Sequence, residues 1–274
     1  MTPQTLPFYW INGRLVPREL PTLPAHGAAL LSERGCFTTA RAVGGRVLYA
    51  RRHAARLARD AENLGIGSLD TGVALEALHV LARAAFGVGE GQVRLQAGRD
   101  DHGNLHLLGI PAPLGDDPSI WTATTATELH PGPSPTRGAK CTARDTFEQA
   151  RCQAKRHGAQ EALFCDRTGY LVEGARSNLF AVLDSGRLIT PPLKRGGVRG
   201  VARAILLEHL SDASECDLHA DELPALRELI AVNALRGARP ILAVDGKPVG
   251  SACPGAEAAR LARVLALAAE DFSE

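Results

Sequence analysis

The sequence predicts an α/β protein of two domains, a small N-terminal α+β domain followed by a larger C-terminal one. Three observations carry this. Short apolar or β-branched runs alternate with amphipathic helical patterns along the chain. The segment Pro111-Ala112-Pro113-Leu114-Gly115-Asp116-Asp117-Pro118 is rich in residues that interrupt both kinds of element. A length of 274 residues suits one large domain or two small ones. The expected boundaries are 1–110 for the N-terminal domain, 111–118 for the linker and 119–274 for the C-terminal domain. Two α/β layers on a short linker predict a cleft, a common place for a ligand.

Phe8-Tyr9-Trp10-Ile11 reads as a strand, Asn12-Gly13 as a hairpin turn and Leu15-Val16 as its return. Cys36 to Val43 is a strand, Gly44-Gly45 a turn, and Arg46 to Tyr49 the returning strand. Arg51 to Leu64 is helical because Ala54, Leu57, Ala61 and Leu64 share one face, and Gly65 is placed to end it. A second helix runs from about Val73 to Phe86. Val93 to Ala97 and Leu105 to Leu108 are strands around a turn at Asp101 to Asn104.

Beyond the linker, Ile120 to Thr127 is strand-like and Phe147 to His157 helical. Ala162 to Cys165, Asn178 to Leu183 and Arg187 to Ile189 are short strands. Gly200 to Leu210 is a helix, Leu229 to Val232 and Ile241 to Val244 are strands, and Ala256 to Ala269 closes the chain as a helix.

Composition narrows the function. Apolar residues at 45% and charged residues at 22% fit a soluble globular protein. A net charge of +1 argues against nucleic acid or an acidic membrane surface as partner. No apolar run reaches the roughly 18–20 residues that span a bilayer. Met1 to Tyr9 lacks a basic stretch followed by an apolar core, so no secretory signal is expected. The six cysteines are irregularly spaced without a C-x-x-C, which reads as reduced thiols in the cytoplasm. No repeat at solenoid spacing is evident.

Three segments could carry chemistry. Lys140 ends the loop that begins Pro131-Gly132-Pro133-Ser134-Pro135, with small neighbours at Cys141, Thr142 and Ala143. A random lysine at such a junction is a surface residue, but a buried one becomes a nucleophile towards carbonyls. Gly132 to Thr142 is not a phosphate-binding P-loop: the glycine spacing is wrong, and prolines remove the needed N–H donors.

Glu173 lies between Val172 and Gly174. It is either a solvent-facing strand end or a carboxylate for a pyridine nitrogen, which it would keep protonated and electron-withdrawing. Gly196-Gly197-Val198-Arg199-Gly200 is either an ordinary turn or a phosphate cup at a helix N-terminus. Arg56 could add a bidentate phosphate contact, against the default of a solvated helix arginine.

Asn233-Ala234-Leu235-Arg236-Gly237 and Gly35-Cys36-Phe37-Thr38-Thr39-Ala40-Arg41 are unspecific by composition. Asp100, Asp101, His102 and His106 match no metal-ligand spacing and read as a solvated turn, so no metal is expected.

Together these segments resemble the fold-type IV pyridoxal-phosphate enzymes, which include branched-chain and D-amino-acid aminotransferases and 4-amino-4-deoxychorismate lyase. The likeness runs from Ile11-Asn12-Gly13 to Arg239-Pro240-Ile241. Within the family, Gly35 to Arg41 and Asn233-Ala234-Leu235-Arg236-Gly237-Ala238-Arg239-Pro240 look like the lyase. Two departures stand out: Ala143 replaces an asparagine common three residues after the lysine, and Gly98 to Gly103 differs from the lyases' usual Arg/Gly-rich loop.

The resemblance implies pyridoxal 5'-phosphate as cofactor, Lys140 as its Schiff-base lysine and Glu173 as the ring-nitrogen partner. It implies phosphate ligands at Arg56 and the backbone of Val198 and Arg199, with Asn233 and Ala234 on a second phosphate-side loop. A substrate with two carboxylates calls for cations, Arg41 first, then Arg236, Arg144 and Arg99, and Thr38 on the Arg41 strand is a further substrate-binding candidate. The expected protein is a cytoplasmic homodimer acting on a small molecule. Its expected reaction converts 4-amino-4-deoxychorismate to 4-aminobenzoate and pyruvate in folate synthesis. An aminotransferase on the same fold is the alternative, and a cofactor-free binding protein the third reading.

Overall fold

The computed structural model describes residues 7–19, 35–100, 102–133 and 138–271. Asp101, and Ser134 and Pro135 of the loop before Lys140, lie outside the described residues. The chain divides into two compact units. The first takes the described residues up to Asp116 together with Ala139–Ala143 and the described residues from Ala269. The second takes the described residues of Asp117–Gly138 and Arg144–Ala268. The segment bearing Lys140 thus belongs with the N-terminal unit, although it follows the expected linker by more than twenty residues. Pro111 and Ala112 end a strand and do not open the linker.

The first unit is an antiparallel sheet under two helices. Its strands are β1 (Phe8–Ile11), β2 (Arg14–Pro17), β3 (Gly35–Val43), β4 (Arg46–Val47), β5 (Glu90–Arg99) and β6 (Leu105–Ala112), in the order β2-β1-β6-β5-β3-β4. Asn12, with φ 44°, and Gly13 make the β1–β2 turn, as the Asn-Gly pair predicts. Helices α1 (Ala50–Asn63) and α2 (Thr71–Phe86) cover one face. Asp70 caps α2 by accepting from the Gly72 and Val73 amides, a cap that the sequence reading passed over.

The period-two pattern of β3 decides the site. Cys36, Thr38, Ala40 and Ala42 are fully buried beneath the helices, while Thr39 and Arg41 alternate with them on the more exposed side.

The second unit is built on a mixed sheet. Its strands are β7 (Trp121–Thr125), β8 (Glu161–Cys165), β9 (Leu171–Gly174), β10 (Asn178–Val182), β11 (Leu188–Thr190), β12 (Ala213–Glu215), β13 (Glu228–Asn233), β14 (Gly237–Val244) and β15 (Lys247–Pro248). The order is β12-β11-β10-β13-β14-β7-β8-β9, with β15 on β14. Strands β8, β9 and β10 are buried almost throughout, as expected of strands covered on both faces. Helix α3 (Asp145–Arg156) packs Phe147, Ala150 and Ala154 against Ala162 and Phe164 of β8. Helix α4 (Val201–His209) and helix α5 (Ala256–Asp271), the latter as far as Ala268, complete the unit. Strand β9 carries Glu173, for which the sequence offers a strand end as one reading without marking the range of the element. Its four residues are too few for a periodic signal.

Candidate active site

In the first unit, α1 turns a polar group inward at nearly every turn. His53, Arg56 and Asp60 are buried beside Ala54, Leu57 and Ala61. The Arg56 Nη2 donates to Thr38 Oγ1 at 2.6 Å, and Thr38 Oγ1 lies 2.6 Å from His53 Nδ1. Arginine can only donate, so Thr38 Oγ1 accepts from Arg56, and it donates to or accepts from His53 Nδ1 according to the imidazole tautomer. Burial, with Arg56 and Lys140 nearby, lowers the His53 pKa well below its usual 6.5 and holds the ring neutral. Burial also brings Arg56 down to about 10, with Asp60 opposing. The Arg56 Nε and the His53 Nε2 are both buried with no hydrogen-bond partner among the described residues.

Lys140 is tied to this helix and to β3. Its backbone N–H donates to Asp60 Oδ2 at 3.0 Å, and its carbonyl accepts the Phe37 N–H at 2.9 Å. Its Nζ lies 4.9 Å from the centroid of the Phe37 ring, against which Arg94 also packs at 3.8 Å. Thr142 and Gly35 bond each other in both directions, Thr142 N–H to Gly35 O at 2.8 Å and Gly35 N–H to Thr142 Oγ1 at 2.9 Å. Lys140 is thereby set as an extra rung on the end of β3.

In the second unit, Glu173 is only 3% exposed, so it is not a solvent-facing strand end. Oε2 accepts the Val198 N–H at 2.8 Å, and Oε1 lies 3.3 Å from His130 Nε2. The glycine turn sits against it. Gly196 has φ 105°, and a side chain there would meet the Gly132 backbone at 2.6 Å. Asn178 donates from Nδ2 to Val198 O at 2.9 Å, and a Cβ on Gly200 would lie 2.0 Å from Asn178 Oδ1. Gly200 caps α4 with no side-chain bond, which leaves first-turn amides for an anion.

Several expected site residues have other partners. Thr38 faces α1 and holds Arg56, because even-numbered β3 residues point to the helices. The Val198 N–H is taken by Glu173 and the Arg199 N–H by Gly138 O at 2.9 Å, so a phosphate at either amide needs that bond exchanged. Asn233 turns its Oδ1 back onto the Leu235 and Arg236 amides, closing the β13–β14 turn in which Ala234 sits. Arg236 lies 3.7 Å from Asp117, which also pairs with Arg239. Arg144 donates to Ala175 O and packs on the Phe147 ring. Arg41 pairs with Glu90 on the more exposed side of β3, and Arg99 is exposed at the end of β5.

The sequence reading missed His53 and Asp60 as site residues, and it missed His130. The first two were detectable as polar residues on the apolar stripe of α1. His130 carried no such signal.

The residues fit pyridoxal phosphate. A buried arginine whose Nε has no partner among the described residues suits a phosphate, a buried carboxylate held by donors suits a ring N–H, and Lys140 supplies an amine for the aldehyde.

Residues 35–244 match the family model described as Amino-transferase class IV, and the chain belongs to that family. A Methanocaldococcus jannaschii protein named "Putative branched-chain-amino-acid aminotransferase" is 26% identical over 259 residues, covering 88% of this chain and 89% of its own. The PLP-bound form of a hypothetical aminotransferase from Mycobacterium tuberculosis superposes with a TM-score of 0.84 at 22% identity. That alignment covers 96% of this chain and 99% of the other. A "Putative 4-amino-4-deoxychorismate lyase" from Legionella pneumophila gives 0.83 at 20% identity, covering 92% and 97%. The architecture is therefore the fold-type IV aminotransferase fold, as the sequence resemblance implied.

Proposed function

We propose that this fold-type IV enzyme is a 4-amino-4-deoxychorismate lyase, releasing 4-aminobenzoate and pyruvate. The cofactor is pyridoxal 5'-phosphate. The observation that carries the cofactor chemistry is Glu173, buried and held by two donors. The choice of lyase rests on the segments Gly35 to Arg41 and Asn233 to Pro240. Lys140 would hold the aldehyde, Glu173 the ring nitrogen, and Arg56 with the start of α4 the phosphate.

Bound pyridoxal phosphate supplies the electron sink that acidifies the carbon bearing the substrate nitrogen. With substrate bound, Lys140 Nζ would take the proton from that carbon and would return one to the methylene of the departing pyruvate. Glu173 keeps the ring nitrogen protonated while charge accumulates. Arg41, with Arg99, Arg144 and Arg236 behind it, is the first choice for the substrate carboxylates. Of these, Arg41 needs only exchange an exposed partner, Glu90, whereas Arg144 and Arg236 have more enclosed ones. Aromatisation of the ring on loss of pyruvate drives the reaction forward.

The second reading is an aminotransferase, favoured by the name of the M. jannaschii relative. Incubation with 4-amino-4-deoxychorismate and no keto acid separates the two. The lyase gives many turnovers of pyruvate and fluorescent 4-aminobenzoate. Efficient exchange between amino acids and 2-oxoglutarate, without pyruvate from aminodeoxychorismate, would establish the aminotransferase. A protein lacking both activities and any cofactor absorbance would be the binding protein of the third reading. The cytoplasmic homodimer is retained on the resemblance and the free cysteines, and light scattering on the purified protein tests the dimer.

A further inference from the structure

We infer that His130 is a positioning residue for Glu173, fixing which way the carboxylate faces. This rests on the reading of Glu173 as the ring-nitrogen partner. The Gly132 backbone N–H lies 3.0 Å from His130 Nδ1. A backbone amide can only donate, so Nδ1 must present its lone pair and the neutral ring must carry its proton on Nε2. Nε2 is the nitrogen 3.3 Å from Glu173 Oε1. The tautomer is thus set by a loop amide on one side and read out by the carboxylate on the other.

The ring cannot easily turn away. Its edge meets Phe147 at 5.6 Å and Phe164 at 6.1 Å, both at 81° between planes, and the His130 and Glu173 side chains are 3% and 4% exposed. With the Val198 N–H on Oε2, each oxygen of Glu173 accepts one fixed bond, and the head group is locked about its last torsion. A carboxylate held by two neutral donors keeps its charge for a third, charged partner. A lysine or arginine in His130's place would compete with that partner.

The test uses two variants. His130→Phe keeps the ring packing and removes the donor, while His130→Gln keeps a donor. In cofactor-free protein labelled with [15N]histidine, the ring signal lost in H130F should show a protonated Nε2 and a bare Nδ1, and it should shift in Glu173→Gln. A proton on Nδ1, or a signal indifferent to E173Q, overturns the link.

In the holoenzyme, H130F should lower kcat about tenfold, the equivalent of one hydrogen bond, with KM within about twofold. It should also move the absorption maximum of the bound cofactor, and H130Q should restore most of both. Wild-type kcat and absorption in H130F, with E173Q impaired, overturn this inference alone. If E173Q is also unimpaired, the reading of Glu173 itself has failed.

Discussion

Thr38→Val isolates the buried network beneath β3. Valine has nearly the shape of threonine, so at a fully buried position the change removes a hydroxyl and little else. That hydroxyl has two partners at 2.6 Å, Arg56 Nη2 and His53 Nδ1, and both lose it at once. Each buried polar group left unsatisfied costs about 1–3 kcal/mol. Among the described residues Arg56 Nε and His53 Nε2 already lack partners, so none of these supplies a spare bond to compensate.

The expected loss is therefore about 2–6 kcal/mol, read by urea unfolding of the cofactor-free protein. Thr38→Ser keeps the hydroxyl and gives up one methyl, so it should lose only about 1 kcal/mol. The freed guanidinium should also bind cofactor more weakly on spectral titration. A T38V protein as stable as the wild type, or a T38S protein as damaged as T38V, would refute the claim that the hydroxyl organises Arg56.

Other outcomes follow from the same geometry. Glu173→Gln turns an NH2 towards one of two fixed donors, Val198 N–H or His130 Nε2, and should cost about 1–3 kcal/mol in urea unfolding. Its kcat should fall on the order of a hundredfold, the scale of one lost electrostatic contact, while an unchanged kcat would remove Glu173 from the ring nitrogen. Folding keeps His53 neutral although the unfolded ring charges near 6.5, so the unfolded state binds more protons below that pH. Stability should be full above pH 6.5 and fall below it by up to about 1.4 kcal/mol per pH unit; His53→Gln should flatten that slope, and an equal slope in both proteins would refute the assignment. Burial, with Asp60 adding to it, pushes the Cys36 thiol up to about 12, so iodoacetamide at pH 8 should label the exposed Cys152 and Cys253 and spare Cys36 on peptide mapping.

Much of this site was legible in the sequence, because its markers are local. The Asn12-Gly13 turn, the stripe of Ala54, Leu57 and Ala61 on α1, and the glycines before α4 each depend on a few neighbouring residues. What could not be read is what long-range pairing decides. Thr38 and Arg41 lie on one strand, and only the placement of α1 over one face of β3 makes Thr38 a support for Arg56 and leaves Arg41 on the other side. Lys140 joins the first unit through bonds to Phe37 and Asp60, more than 75 residues away in the chain, which no local pattern encodes. The Val198 and Arg199 amides looked open for an anion because a turn sequence does not show which acceptors approach it.

Lys140 is proposed to carry the cofactor covalently. Borohydride reduction of the holoenzyme fixes the cofactor to the lysine that holds it, and digestion with mass spectrometry then locates the pyridoxyl group. That group should lie on the peptide containing Lys140 and be lost in Lys140→Ala, with cofactor still bound non-covalently. A pyridoxyl group on any other lysine, or none with cofactor present, would contradict it.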